Sequence, residues 1–113
     1  MINNYGITIV NLRNKPAPEY DLYMGRANKW RNLPGSKWAN PFFMKNEGMR
    51  EEVFRKYKEY VKKRPDLIAA LPELMGKRLA CWCYPPKKCH VMALVEIMEE
   101  LNLEYDTKSG YIK

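Results

Sequence analysis

The segment from Arg78 to Leu101 constrains the fold more than any other part of the chain. It opens with RLACWC (Arg78–Cys83), where Leu79, Cys81 and Cys83 alternate against Ala80 and Trp82, the period of a strand. After the turn Tyr84–Lys88, Cys89–Leu101 reads as an amphipathic helix, with Val91, Leu94, Val95, Met98 and Leu101 at helical spacing. Gly6–Asn11 (GITIVN) is short, β-branched and mostly apolar, so it predicts a buried strand. Tyr20–Met24 alternates and is closed by Gly25, which predicts a second strand. Met49–Arg64 is a helix by its stripe of Val53, Tyr57 and Val61, stopped by Pro65. Asp66–Met75 is a shorter helical piece interrupted by Pro72, with Gly76 as its cap. Leu103–Asp106 and Tyr111–Lys113 read as a last strand and an edge piece. The order predicts one α/β domain over residues 1–113: a small Rossmann-like sandwich, its sheet mostly parallel, with helices packed on it.

Purely apolar runs such as Leu67–Leu71 and Val91–Val95 fall far short of the roughly 18 residues that cross a bilayer. The N-terminus lacks the basic and apolar regions of a secretory signal. Both point to a cytoplasmic protein without a membrane partner. The net charge of +7 favours an anionic partner. It is unevenly placed: from Arg26 to Lys45 there are five bases and no acid, and from Lys77 to His90 four Lys or Arg and no acid. Val91 to Asp106 carries five acids and no base.

The unusual residues fall at the ends of the expected strands. Asn11 and Arg13 follow the first, Gly25 and Arg26 the second, and Cys83, Cys89 and His90 the third. In open α/β sheets ligands sit outside the carboxyl ends of the strands, so these clusters can share one edge.

The segment from Cys81 to His90 admits three readings. Cys81, Cys83, Cys89 and His90 are ligands of the kind zinc takes, with a C-x-C-x5-C-H spacing. Cys89, with His90, alternatively makes a reactive pair, because a helix N-terminus and neighbouring Lys88 favour the thiolate. On the third reading no metal or cofactor is present, Cys81 is core, and His90 bonds to backbone. Lys87 and Lys88 face the positive end of the helix dipole, an arrangement that an anion relieves. The loop Arg26–Phe43 interleaves bases with Trp30, Trp38, Phe42 and Phe43, so that cations meet phosphates while rings stack on bases. Trp38 and Phe42 are the two expected to plug the core beneath the loop, and Trp30 the one expected to be exposed.

The strings YMGRANKW, SKWANPF and GKRLACWCYPPKKCH, with a helix opening R-E-E between the last two, resemble a small phage and bacterial family catalogued as domain of unknown function 4326. Its pattern runs V-N-L-R, Y-I-G-R, W-G-N-P-F, then L-x-C-W-C-x-P-x-x-C-H-G-D. Ala39 stands for the usual Gly, and Val91-Met92 for Gly-Asp. The resemblance implies Asn11, Arg26, Trp38, Asn40, Cys81, Cys83, Cys89 and His90 as site residues, and a phage or prokaryotic context, with host cytoplasm as the location if the source is viral. Taken with the charge pattern, it leads to a nucleotide- or nucleic-acid-directed protein acting on a nucleotide or its sugar. Arg26, Lys87 and Lys88 would hold phosphate, Trp30 or Trp38 would stack on a base, and Asn11 and Asn40 would orient the ligand. Cys89 and His90 would lie nearest any chemistry. The alternative is a non-enzymatic module held by Cys3His zinc that binds a nucleic acid or a partner protein.

Overall fold

In the computed structural model, which describes residues 5–82 and 87–104, three strands pair in parallel. They are β1 (Thr8–Asn11), β2 (Leu22–Tyr23) and β3 (Arg78–Cys81), in the spatial order β1-β3-β2. The last of the described strands in sequence is therefore the central one. Ile9 lies opposite Leu79, Asn11 opposite Cys81, and Tyr23 opposite Ala80. The ladder runs slightly past the strands, through Leu12 N–H to the Cys81 carbonyl (2.9 Å) and Met24 N–H to the Ala80 carbonyl (3.0 Å). Paired on both edges, β3 buries Leu79, Ala80 and Cys81, as an all-apolar run in a parallel sheet requires.

Helix α1 (Arg50–Lys62) carries Glu51 and Glu52 in its first turn and Lys62 in its last, charges that complement its dipole. Pro65 does more than end the preceding helix. Its fixed φ and missing N–H suit a first helical position, and it opens α2 (Pro65–Ala70). Pro72 has no N–H to return to Ile68, so the chain tightens into a 3-10 turn over Leu71–Leu74. Gly76 follows with φ of 74°, a value that suits glycine, and donates its N–H to the Tyr5 carbonyl at 2.8 Å before β3 begins. Helix α3 spans His90–Glu100.

The helices bury their stripes in one cluster with the Leu79–Cys81 face of the sheet: Tyr57 and Val61 from α1, Leu67 from α2, and Leu94, Ile97 and Met98 from α3. Lys58 and Lys62 on α1 reach Glu100 on α3, and Lys58 also reaches Glu96 at 3.1 Å, so ion pairs tie the two helices outside the core. The small α/β fold and its parallel sheet agree with the sequence reading. The second strand is shorter than expected, because pairing reaches only Leu22 and Tyr23. Tyr20 stays partly exposed ahead of it. Leu103 and Glu104 are not in a strand. The rest of the expected last strand, and Tyr111–Lys113, lie outside the described residues.

Replacing Leu79 by Ala should destabilise the protein by about 2–5 kcal/mol in urea denaturation, because it empties a fully buried site in the central strand. Lys56→Ala, on the exposed face of α1, should stay within about 0.5 kcal/mol of the parent. Comparable effects from the two would show that β3 is not the centre of the core.

Candidate functional site

The carboxyl ends of β2 and β3 and the amino ends of α1 and α3 converge on one cleft of about 430 Å³. Gly25 and Arg26 leave β2, Trp82 leaves β3, and Lys88, Cys89 and His90 lead into α3. Arg50, Val53 and Phe54 come from the start of α1, and Asn40 to Met44, Pro41 excepted, from the long loop. This is the edge at which an open parallel sheet binds ligands.

Arg26 builds one wall. Its Nε and Nη2 donate to the Asn40 carbonyl (2.9 and 2.6 Å), and Nη2 also to that of Phe42 (2.9 Å). Its guanidinium lies 4.1 Å from the centre of the Phe43 ring. One arginine thus fastens the loop to the end of β2, with Ser36 N–H donating to the Gly25 carbonyl (3.0 Å) as a second tie. Asn40 accepts the Phe42 N–H on its Oδ1 (2.9 Å), a turn that Asn forms readily. A relay supports this wall from below. Trp82 Nε1–H donates to the Tyr23 hydroxyl (2.9 Å), which donates to the Arg26 carbonyl (2.7 Å). The Tyr23 phenol lies over Gly25 so closely that a Cβ there would come within 2.6 Å of Cζ.

His90, the first residue of α3, donates from Nε2 to the Met24 carbonyl at 2.7 Å and meets the Tyr57 ring edge-on at 5.0 Å. A carbonyl accepts only, so this bond fixes the Nε2–H tautomer and leaves Nδ1 as an acceptor. His90 is half-buried in the cleft wall, and Nδ1 is the ring nitrogen not engaged by Met24. Burial lowers the imidazole pKa to about 4; the Met24 carbonyl opposes this and the charge of Arg26 adds to it. The ring is neutral at pH 7.

Cys89 is the N-cap residue of α3, but it is not a poised nucleophile. It is buried, and its Sγ lies 3.5 Å from Cys81 Sγ, within reach of a thiol–thiol hydrogen bond. That contact and burial hold the Cys89 thiol well above its ordinary value, outweighing the Val91 and Met92 amides that favour the thiolate. Where the sequence placed a reactive pair, the structure has a buried thiol beside a neutral imidazole. As for zinc, two sulfurs 3.5 Å apart approach the spacing of two tetrahedral corners, about 3.8 Å for Zn–S bonds of about 2.3 Å. In His90 the Nε2–H is committed to Met24, which leaves Nδ1 as the nitrogen that a metal would take. Among the described residues no group of three His, Cys, Asp or Glu side chains is placed to hold a metal. Cys83 lies outside the described residues.

Of the other residues singled out from sequence, Arg26, Asn40, Lys88 and His90 line the cleft together. Lys88 pairs with exposed Glu51 (3.1 Å) and lies 4.0 Å from the centre of the Phe54 ring. Lys87 turns to Glu47 (3.1 Å) and is not among the lining residues. Arg50 and Lys87 together hold the Glu47 carboxyl down at about 2. Asn11 is buried at the end of β1, where its Oδ1 accepts the Arg13 N–H (2.9 Å), and does not reach the cleft. Trp38 is 3% exposed, with its carbonyl accepting from the Tyr57 hydroxyl (2.7 Å), so it has no free face for a ligand. Tyr23, Arg50, Phe54 and Trp82 also shape the cleft and were not singled out. Trp82 was expected inside the strand, which ends at Cys81, and Arg50 looked like an ordinary first-turn helix residue.

Because the His90 pKa falls from 6.5 to about 4 on folding, the unfolded chain binds more protons between those values. The stabilisation is therefore complete above pH 6.5 and is lost as pH falls towards 4, in all on the order of 1–3 kcal/mol. The difference in unfolding free energy between the protein and His90→Gln should shrink by that amount between pH 7.5 and pH 4.5. A difference that does not change with pH would mean that His90 is not held neutral. Gly25→Ala should displace the Tyr23 phenol and cost about 1–3 kcal/mol; near-UV circular dichroism would report the altered Tyr23–Trp82 pair, and an unchanged spectrum and stability would contradict the contact.

The model of the family described as domain of unknown function (DUF4326) matches residues 9–100. Uncharacterized protein R718 of Acanthamoeba polyphaga mimivirus is 35% identical over 112 residues, covering 89% of this chain and 85% of that protein. No solved structure matches. The expected phage or prokaryotic setting thus meets a relative from a virus. No helix among the described residues is long and apolar enough to cross a membrane. The extent of the match, reaching from β1 to the end of α3, establishes that the chain belongs to the DUF4326 family.

Proposed function

We propose that the cleft binds a nucleotide, with its phosphate on the cationic rim and its base against the aromatic walls. One observation carries the reading: Arg26 and Lys88 meet Phe42, Phe43, Phe54 and Trp82 around a single cavity at the carboxyl edge of the sheet. Apolar rings with a few convergent polar groups are the usual make-up of a small-molecule site. Arg26 spends Nε and Nη2 on the loop, and no bond is given to Nη1. Lys88 is shared with Glu51, but an exposed pair of this kind is worth at most about 1 kcal/mol and yields to a phosphate. Asn40 spends its oxygen on the loop and keeps its amide N–H groups to donate.

His90 suits this reading as a ligand-orienting group. An imidazole with a pKa of about 4 is a weak base at pH 7, yet its Nδ1 accepts a hydrogen bond from a sugar hydroxyl or a base N–H. Binding and orientation therefore have firmer support than general-base catalysis by this residue.

A thermal-shift panel of nucleoside mono-, di- and triphosphates tests the reading. At about 100 times its Kd, a specific ligand stabilises the fold by about 2.7 kcal/mol, which should raise Tm by roughly 10 °C in a domain of this size. Lys88→Ala should weaken that ligand about 3- to 10-fold, while Lys37→Ala, whose parent side chain pairs with Glu73 at 2.7 Å and does not line the cleft, should have no effect. No shift with any nucleotide, or equal losses in the two variants, would overturn the assignment.

A further inference from the structure

Trp30 is 96% exposed, yet it is not on a loose loop. It is the middle residue of a 3-10 turn, Lys29–Arg31, fixed at both ends. Asn28 caps the turn through its Oδ1, which accepts the Arg31 N–H (3.2 Å), and exchanges two backbone bonds with Leu33, both 2.9 Å. Asn32 closes it in the left-handed region with φ of 54°, which Asn tolerates. A large ring is thus presented to solvent on a preorganised support. Packing gives no account of it, whereas a stacking ligand does.

A second cavity, of about 380 Å³, lies beside this ring, lined by Arg13, Asn28, Trp30, Arg31 and Trp82. Trp82 and Asn28 also line the first cleft, so the two cavities adjoin. The guanidinium groups of Arg13 and Arg31 lie 5.9 and 5.3 Å from the centre of the Trp82 ring. Arg13 is held in place by its Nε–H, which donates to the Trp82 carbonyl at 2.9 Å. Arg50, Arg64 and Arg78 each hold a carboxylate. Among the described residues, Arg13 and Arg31 are given none, nor is Arg26 across Trp82 in the first cleft.

We propose that this cavity is a second nucleotide subsite, so that the protein binds single-stranded nucleic acid across Trp82 rather than a lone nucleotide. Arg13 and Arg31 take the phosphate that links the two units, and Trp30 stacks on the second base. Charge complementarity selects an anionic chain, and the isolated ring on a rigid turn selects one with planar groups, which favours a nucleic acid over an acidic peptide. The proposal rests on the first cleft holding the first nucleotide.

The probes are adenosine 5′-monophosphate, the dinucleotide pApA and poly-glutamate, titrated against tryptophan fluorescence. The dinucleotide should bind about 10- to 100-fold more tightly than the mononucleotide and quench the exposed Trp30. Trp30→Ala should remove most of that gain while leaving mononucleotide affinity within about twofold, and Trp30→Phe should restore part of it. Arg31→Ala should weaken only the dinucleotide. Because Trp30 packs against nothing, its removal should not disturb the fold. Equal affinities for the two nucleotides, an unchanged ratio in Trp30→Ala, or poly-glutamate binding as tightly as pApA would overturn the second subsite. If the mononucleotide fails to bind and pApA still quenches Trp30, the first-cleft reading falls and the Trp30 site stands; if neither acts, both fall.

Discussion

The pairing of β3 on both of its edges is the constraint on which the remaining structure depends. Every described ladder bond of the sheet has β3 as a member, so β1 and β2, which do not pair with each other, are aligned only through it. That placement fixes where β2 and β3 end relative to each other. It sets Gly25 and Arg26 beside Trp82 and brings the first turn of α3 over the same edge. The His90–Met24 hydrogen bond closes the arrangement, since it joins the start of α3 directly to the end of β2. Burial does the stabilising, while a small set of hydrogen bonds at the edge gives the cleft its shape.

The edge is built by polar groups that mostly serve the fold. Arg26, Asn40, Tyr23 and Arg50 each satisfy backbone carbonyls or amides, Arg26 and Arg50 those of distant segments. Arg50 Nη1 donates to the Lys88 carbonyl (2.7 Å), and this fixes the entry to α3 against α1. A wall made this way is rigid before any ligand arrives, which lowers the ordering cost of binding. The cationic groups left over, on Arg13, Arg26 and Arg31, lie on both sides of Trp82. From the basic, acid-free stretch of sequence, Arg26 and Arg31 face these two cavities.

Much of this was legible in the sequence because it follows from short-range periodicity. The alternation in Arg78–Ala80 and the apolar stripes of α1 and α3 placed those elements to within two residues. The convergence of Arg26 and His90 followed from strand polarity alone. Other features depended on information that a linear pattern does not carry. Asn11 ends a strand much as Arg26 follows one, but β1 lies across β3 from β2, and the cleft opens between β2, β3 and the helices. The tryptophans of the loop, by contrast, were legible: Trp38 is buried and Trp30 exposed, as expected. The helix N-terminus argued for a reactive Cys89, but burial and a second thiol 3.5 Å away carry the opposite and larger effect.

The central claim is that the carboxyl edge of the sheet is a nucleotide site framed by Arg26, Lys88 and His90. An amide-resolved NMR titration of the protein with adenosine 5′-monophosphate tests it most directly. The account predicts that the largest shift changes fall on Tyr23–Asn28, Phe42–Met44 and Lys88–His90, and that the imidazole nitrogens of His90 respond while remaining in the Nε2–H tautomer. Changes confined to the outer faces of α1 and α2, or none at saturating ligand, would contradict it.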